Sequence, residues 1–182
     1  LPPAYALSVG ALVARKNLAR VFDAVQALRT EPATADLMLI HAGPTGALAA
    51  DVAAAASRPG LAGAVSVLGY VPAEDLAALY GLARFLVFPS LDEGFGLPVA
   101  EAMACGCPAI TSNISALPEV AGDAALLVDP TSTDEIAGAM RRLWTDEALR
   151  NALVRRGLAR AAGYRWERTA AATVAVYETA SP

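Results

Sequence analysis

A chain of 182 residues is long enough for one well-filled core and short of two comfortable domains. Its net charge of −4 argues against a nucleic-acid binder that works by bulk electrostatics. Apolar residues make up 55%, high for a domain in water and consistent with strands apolar on both faces, yet no stretch approaches the ~18 consecutive apolar residues of a membrane span.

The chain starts at Leu1-Pro2-Pro3 rather than at Met, with no charged-then-apolar leader, so a piece of a longer protein is expected. Tyr5 to Gly10 reads as the first strand. Ala11 to Lys16 is a loop. Asn17 is placed to cap a helix that carries Leu18, Val21, Phe22, Val25 and Leu28 on one face. Arg15 and Lys16 then sit at a helix N-terminus, where positive charge is unfavourable with the helix dipole. That mismatch calls for an anion nearby; a solvated loop pair is the alternative. The G-x-G-x-x-G of a dinucleotide site is missing after this strand, which disfavours a dehydrogenase.

Leu37 to Ala42 is the second strand, ending in Gly43-Pro44, and an alanine-rich helix follows from about Ala47 to Ser57. His41, the sole histidine, reads as a hydrogen-bonded structural residue at a strand end rather than as a catalyst. Ala64 to Leu68 is the third strand. Pro72 and Glu74-Asp75 start a helix through Leu82, with acids in its first turn. Tyr70, between them, is able to pack on a base, or to belong to the core.

The next stretch is the most informative. Phe85 to Phe88 is a short apolar run of the kind a doubly buried strand shows. Asp92-Glu93-Gly94-Phe95-Gly96 is an acidic, glycine-rich loop. Pro98 suits the first turn of a helix that ends near Gly106. A loop that joins a parallel strand to a helix N-terminus offers free N–H groups and a positive dipole end, which suit phosphate. Gly94 and Gly96 permit close backbone approach. Glu93 before the glycines and Glu101, read as first-turn, are carboxylates that accept hydrogen bonds from hydroxyls. A phosphate cradle flanked by carboxylates is what a sugar nucleotide needs. The bland alternative is a solvated Glu93 and a Glu101 that merely complements the dipole.

Cys105 and Cys107, the only cysteines, make no zinc set and rarely bridge at this spacing. They read as small buried residues in a reducing compartment. Pro108 to Thr111 starts a fifth strand, Ser112 to Ala116 is a polar loop, and Leu117 to Val120 begins a helical turn. Ala124 to Val128 is the last strand. Thr133-Asp134-Glu135 opens an amphipathic helix with Ile136, Met140, Leu143 and Trp144 on one side, Thr145-Asp146 caps another through Leu158, and a last helix runs from Trp166 to about Thr179. Arg141, Arg142, Arg150, Arg155, Arg156 and Arg160 tint this part basic. A solvated face is the plain reading; contact with an anionic membrane is the other. The alternation implies βαβ units: an α/β, Rossmann-like three-layer domain with a mostly parallel sheet of about six strands flanked by helices.

Glu93-Gly94-Phe95-Gly96-Leu97-Pro98-Val99-Ala100-Glu101 resembles the E-x(7)-E signature of retaining glycosyltransferases of the GT-B fold, the glycosyl transferases group one. Pro89-Ser90, Glu101 to Gly106, Leu117 to Gly122, Val9-Gly10 with Arg15-Lys16-Asn17, and Leu68 to Val71 extend the resemblance over nearly the whole chain. It implies the C-terminal half of such an enzyme: residues 1–182, C-terminal helices included, form the donor-binding domain, and the N-terminal acceptor domain is absent.

The resemblance also implies roles. Glu93 holds the sugar's hydroxyls. The N–H groups around Phe95, Gly96 and Leu97, with Gly94 beside them, hold the sugar and distal phosphate. Glu101 binds the ribose, and Lys16 the diphosphate. Many members carry an arginine just after the position of Gly10; here Ala11 stands there, and Arg15 is the candidate substitute. Gly69-Tyr70-Val71 touches the nucleobase through backbone groups. Residues 112–116 face the cleft, and Glu119 is structural. With no Asp-x-Asp motif, a metal-independent donor site without cofactor is expected.

The expected function is hexose transfer from a nucleoside-diphosphate sugar to a glycan or lipid-linked acceptor. The wording near Lys16 and Pro118-Glu119 leans toward mannose-type donors of bacterial polysaccharide assembly. The expected location is the cytoplasm, or the inner face of the membrane. This piece alone should bind donor weakly and transfer nothing. A noncatalytic nucleotide-binding module or half of a sugar-nucleotide epimerase shares the fold. A module that binds only a nucleotide has no use for Glu93, and an epimerase needs acid–base residues this half lacks.

Overall fold

Strict alternation of strand and helix leaves every crossover helical, which forces neighbouring strands parallel. The computed structural model describes residues 1–44 and 46–180. In chain order the elements are β1 (Ala6–Val9), α1 (Leu18–Leu28), β2 (Leu39–Ala42), α2 (Ala49–Ala56), β3 (Val65–Gly69), α3 (Ala73–Leu82), β4 (Phe85–Phe88), α4 (Leu97–Ala104), β5 (Ala109–Ser112), α5 (Leu117–Ala121), β6 (Ala125–Val128), α6 (Thr133–Thr145), α7 (Glu147–Ala161) and α8 (Trp166–Ala180). A short 3-10 turn covers Ala14–Lys16.

The six strands form one sheet in the order β3-β2-β1-β4-β5-β6, all parallel. The chain builds outward from β1 to β3, then returns to the other side of β1 for β4. The gap between β1 and β4 is therefore the switch point, where loops diverge at the carboxyl ends and ligands bind in such sheets.

Alternate strand residues feed two cores. Ala6, Leu39, Phe85, Val87 and Ile110 face α1, α2 and α6. Leu7, Ile40, Leu86, Phe88 and Ala109 face α3, α4 and α5. β1, β2, β4 and β5 are buried throughout, as expected of doubly covered strands. The edge strands differ. Val67, Leu68 and Leu127 are exposed, because an edge has one flank without a neighbour.

Several local expectations are corrected. Asn17 stands before α1 but does not cap it; its backbone is left-handed (φ 58°) and its side chain makes no cap bond. Its buried amide instead donates to Pro89 O at 2.9 Å and Pro130 O at 2.7 Å, tying the ends of β4 and β6 to the start of α1. Other expectations hold: α6 opens at Thr133, with Ser132 before it as the cap, accepting from Glu135 N–H, and Asp146 caps α7, accepting from Leu149 N–H. Cys107 is buried but Cys105 is partly exposed; burial pushes the Cys107 thiol up to about 12, which makes it inert. His41 lies inside β2, fully covered, with Nδ1 3.3 Å from Ser8 Oγ.

The basic tint of the C-terminal helices is largely spent inside the chain. Arg141 grips Glu31 with two bonds of 2.7 and 2.6 Å. Arg150 donates to Leu143 O and Trp144 O, Arg156 to Asp123 O, and Arg160 to Val120 O and Glu119 O. Four of the six arginines thus fasten α6 and α7 to their surroundings, while Arg141, Arg142, Arg155 and Arg156 stay exposed to solvent. α8 is exposed along its length. Among the described residues no helix is long and apolar enough to cross a membrane.

Candidate functional site

Two loops meet at the switch point. The first leaves β1 through Gly10 and the Ala14–Lys16 turn. The second leaves β4 through Pro89 and runs to Gly96. Their backbones are joined where Leu91 N–H donates to Arg15 O at 2.8 Å. This join brings Lys16 Nζ to 2.6 Å and Arg15 Nη1 to 2.8 Å from the same oxygen, Glu93 Oε1. The anion that the cationic turn calls for is thus supplied by the chain's own Glu93.

Glu93 and Lys16 are both well covered, with side chains 9% and 12% exposed, whereas Arg15 is 52% exposed. Burial by itself would push the Glu93 carboxyl up, but hydrogen bonds from Lys16 and Arg15, the Lys16 charge and the nearby Ser90 hydroxyl outweigh it and hold the group below the usual range. Glu93 is therefore a carboxylate at neutral pH, able to accept from hydroxyls.

Lys16 is shaped by its surroundings. Its ammonium lies 4.4 Å from the centre of the Phe88 ring, a favourable cation–π distance. Its stem runs over Gly10, where a Cβ would come within 3.0 Å of Lys16 Cε. Gly43 in turn abuts Gly10: a Cβ there would fall 2.0 Å from Gly10 O. Gly43 therefore supports the site from the neighbouring strand. Its position just past β2 was the only sequence signal, and its contact with Gly10 needed the sheet.

At the other end of the loop, Gly96 opens α4 with φ 99°, without a side-chain cap, and Pro98 occupies the first turn. Among the described residues the N–H groups of Phe95, Gly96 and Leu97 make no backbone hydrogen bond, which leaves them for a ligand at the positive end of the helix dipole. Gly94 has nothing within 4 Å of where a Cβ would stand; the surrounding space is open. Phe95 stacks edge-on against Tyr164 at 5.6 Å.

Glu101 lies one turn deeper than first-turn placement implied; the first turn of α4 holds no acid. Its Oε2 accepts from Tyr80 Oη at 2.9 Å. Tyr80 is buried, and burial together with the Glu101 charge pushes its phenol upward, so it stays a neutral donor. Sequence reading missed this orienting tyrosine, since α3 and α4 are adjacent only in the folded chain. Phe95, Leu97 and Glu101, with Tyr164 and Trp166, line a groove of about 1030 Å³.

Tyr70 and Val71 follow the edge strand β3, two strands from β1, or about 10 Å across the sheet. Tyr70 is 76% exposed, so it is not a core residue. With Leu68, Val71, Pro72 and Leu79 it lines a separate shallow cavity of about 410 Å³. The structure thus brings Gly10, Arg15, Lys16, Glu93 and the α4 N-terminus together. It leaves Glu101 behind them on α4, and Tyr70-Val71 to one side.

Known proteins share this architecture and sequence. The model of the glycosyl transferases group 1 family matches residues 2–160. O-antigen chain mannosyltransferase B of Escherichia coli is 40% identical over 174 residues, 96% of this chain and 45% of that protein. MMP alpha-(1->4)-mannosyltransferase of Mycolicibacterium hassiacum is 37% identical over 173 residues, 91% of this chain and 40% of that protein. The chain thus spans less than half the length of these relatives. Sucrose-phosphate synthase from Thermosynechococcus elongatus superposes with a TM-score of 0.87 at 28% identity, over 98% of this chain and 45% of that one. The C-terminal domain of a glycosyl transferase group 1 family protein from Francisella tularensis shares the fold, with a TM-score of 0.75 at 24% identity, over 86% of this chain and 83% of that one. Sheet order, the glycine-rich loop ahead of α4 and these likenesses agree, and the chain belongs to the glycosyl transferases group 1 family.

Proposed function

We propose that residues 1–182 are the donor-binding domain of a retaining glycosyltransferase that takes a hexose, with mannose favoured, from a nucleoside-diphosphate sugar. The acceptor, a glycan or lipid-linked sugar, binds a further domain of the whole protein at the cytoplasmic side of a membrane. The observation that carries this reading is the meeting of Lys16 and Arg15 with Glu93 beside the open N-terminus of α4. Mannose rests on the 40% identity to a protein named as a mannosyltransferase.

Breaking the anomeric bond leaves negative charge on the departing diphosphate. Preorganised cations and backbone N–H groups aimed there stabilise that charge in the transition state more than in the ground state. Lys16 carries three N–H donors. One is engaged by Glu93, so the others remain for phosphate oxygens. Arg15, half exposed, turns from Glu93 toward the diphosphate. The N–H groups of Phe95, Gly96 and Leu97 take the distal phosphate and sugar. Glu93, ionised, accepts from the sugar's hydroxyls, and Glu101, oriented by Tyr80, accepts from the ribose. Tyr70 and Val71 border the base.

The test is calorimetric titration of the full-length protein with UDP, GDP and ADP, each bare and as its hexose conjugate. One nucleotide class should bind, its hexose should add affinity, and Glu93→Ala should erase that increment alone. Absence of binding for all three classes would refute the reading.

A further inference from the structure

We propose that Ser115 is a positioning residue whose hydroxyl locks the peptide of Glu93, and that it sets how well the site grips the donor's sugar. The inference rests on the donor-binding reading above and adds a residue to it. Glu93 is held at both ends. Its carboxylate is gripped by Lys16 and Arg15. Its backbone is gripped by Ser115, from the loop between β5 and α5. Ser115 Oγ accepts from Glu93 N–H at 3.0 Å and donates to Glu93 O at 2.7 Å, with Asp92 Oδ1 at 3.0 Å as a second acceptor for the same proton. One hydroxyl therefore satisfies both polar backbone groups of Glu93.

The backbone of Ser115 explains why a serine is informative here. Its φ is 61°, and Asn17 is the only other non-glycine with positive φ among the described residues. Glycine adopts that conformation without steric cost, and asparagine tolerates it. Serine adopts it less readily and brings a hydroxyl that glycine lacks. The position accepts an unfavourable backbone and gains a clamp on Glu93. The need for a clamp is local. A Cβ at Gly94 would meet nothing within 4 Å, so the nearest anchors C-terminal to Glu93 are Phe95 against Tyr164 and Gly96 against Leu117. Two residues beyond Ser115, Leu117 packs on Gly96, where a Cβ would lie 2.5 Å from Leu117 Cδ2. The segment from Ser115 to Leu117 thus sets both Glu93 and the start of α4.

Ser115→Gly in the full-length protein separates clamp from fold, since it removes the hydroxyl and relieves the left-handed backbone. The donor used is whichever UDP-, GDP- or ADP-hexose binds in the titration above. Ser115→Gly should melt no lower than the parent. It should lower kcat/KM for that donor about 10- to 100-fold, the scale of a misplaced catalytic contact. It should leave the affinity for the bare nucleoside diphosphate unchanged. Added to Glu93→Gln, it should cause no further loss, because it acts through Glu93. Should Ser115→Gly melt lower, Ser115→Asn, which suits the backbone and offers donor and acceptor groups, should restore kcat/KM; failure to do so overturns the proposal. Full activity in Ser115→Gly overturns it, as does an undiminished loss on the Glu93→Gln background. If Glu93→Gln itself changes nothing, the donor-binding reading fails at Glu93, a different result from silence at Ser115 alone.

Discussion

Lys16 Nζ sits 2.6 Å from Glu93 Oε1, although 77 residues separate the two in sequence. Both side chains are nearly buried, so the pair carries more consequence than a surface bridge. Removing one partner leaves a covered charge with only half-exposed Arg15 beside it. Lys16→Met should destabilise the domain by about 2–3 kcal/mol in urea denaturation, somewhat below the usual cost for a fully buried pair. Lys16→Met with Glu93→Gln should cost less than the sum of the two single changes, by roughly 1 kcal/mol or more. Simple additivity would show that the two groups do not depend on each other.

Acid should weaken the fold well above the carboxylate range. Burial lowers His41 from 6.5 to about 4, opposed in part by the Gly10 backbone. A base with a lowered folded value binds fewer protons folded than unfolded, so its stability is complete above pH 6.5 and lost as pH falls toward about 4. That loss is about 3 kcal/mol across the window, at ~1.4 kcal/mol per unit. Glu93, also lowered, adds its own loss as pH falls below its ordinary 4.5. Denaturation midpoints followed across this range should show the first decline in the parent and not in His41→Gln.

The two loop glycines should behave differently. Gly96→Ala places a Cβ against Leu117 at φ 99° and should cost ~1–3 kcal/mol. It should also weaken nucleotide binding, since the free N–H groups of α4 start there. Gly94→Ala meets nothing and should stay within ~0.5 kcal/mol. Thermal melts of the two variants make the comparison directly.

Tyr80→Phe tests the orientation of Glu101. It deletes one hydrogen bond to a charged acceptor and leaves Glu101 with water as a replacement partner. A stability loss of about 1 kcal/mol is expected. Affinity for the ribose-bearing part of the donor should fall with it. Unchanged nucleotide binding in a folded Tyr80→Phe variant would remove Glu101, as oriented here, from the ribose contact.

The sequence by itself determined the architecture and the main site loop. Apolar runs of four to six residues alternating with helical periodicity admit little besides a covered parallel sheet. Glu93-Gly94-Phe95-Gly96 between a strand and Pro98 marks the loop and the helix start that the structure shows at α4. Only the tertiary structure decided the partners. Strand order put β1 beside β4, so Lys16 met Glu93, and no local pattern encodes that adjacency. The same holds for Tyr80 on Glu101, Gly43 under Gly10 and Ser115 over Glu93, each a contact between elements distant in sequence. Exposure of Val67 and Leu127 likewise followed from their strands' places at the sheet edges, since a residue pattern reports apolar faces but not how many neighbours a strand acquires. Asn17 shows the limit most directly. A local rule made it a helix cap, and two carbonyls from β4 and β6 claimed its amide instead, because buried acceptors left without a donor cost more than an unmade cap.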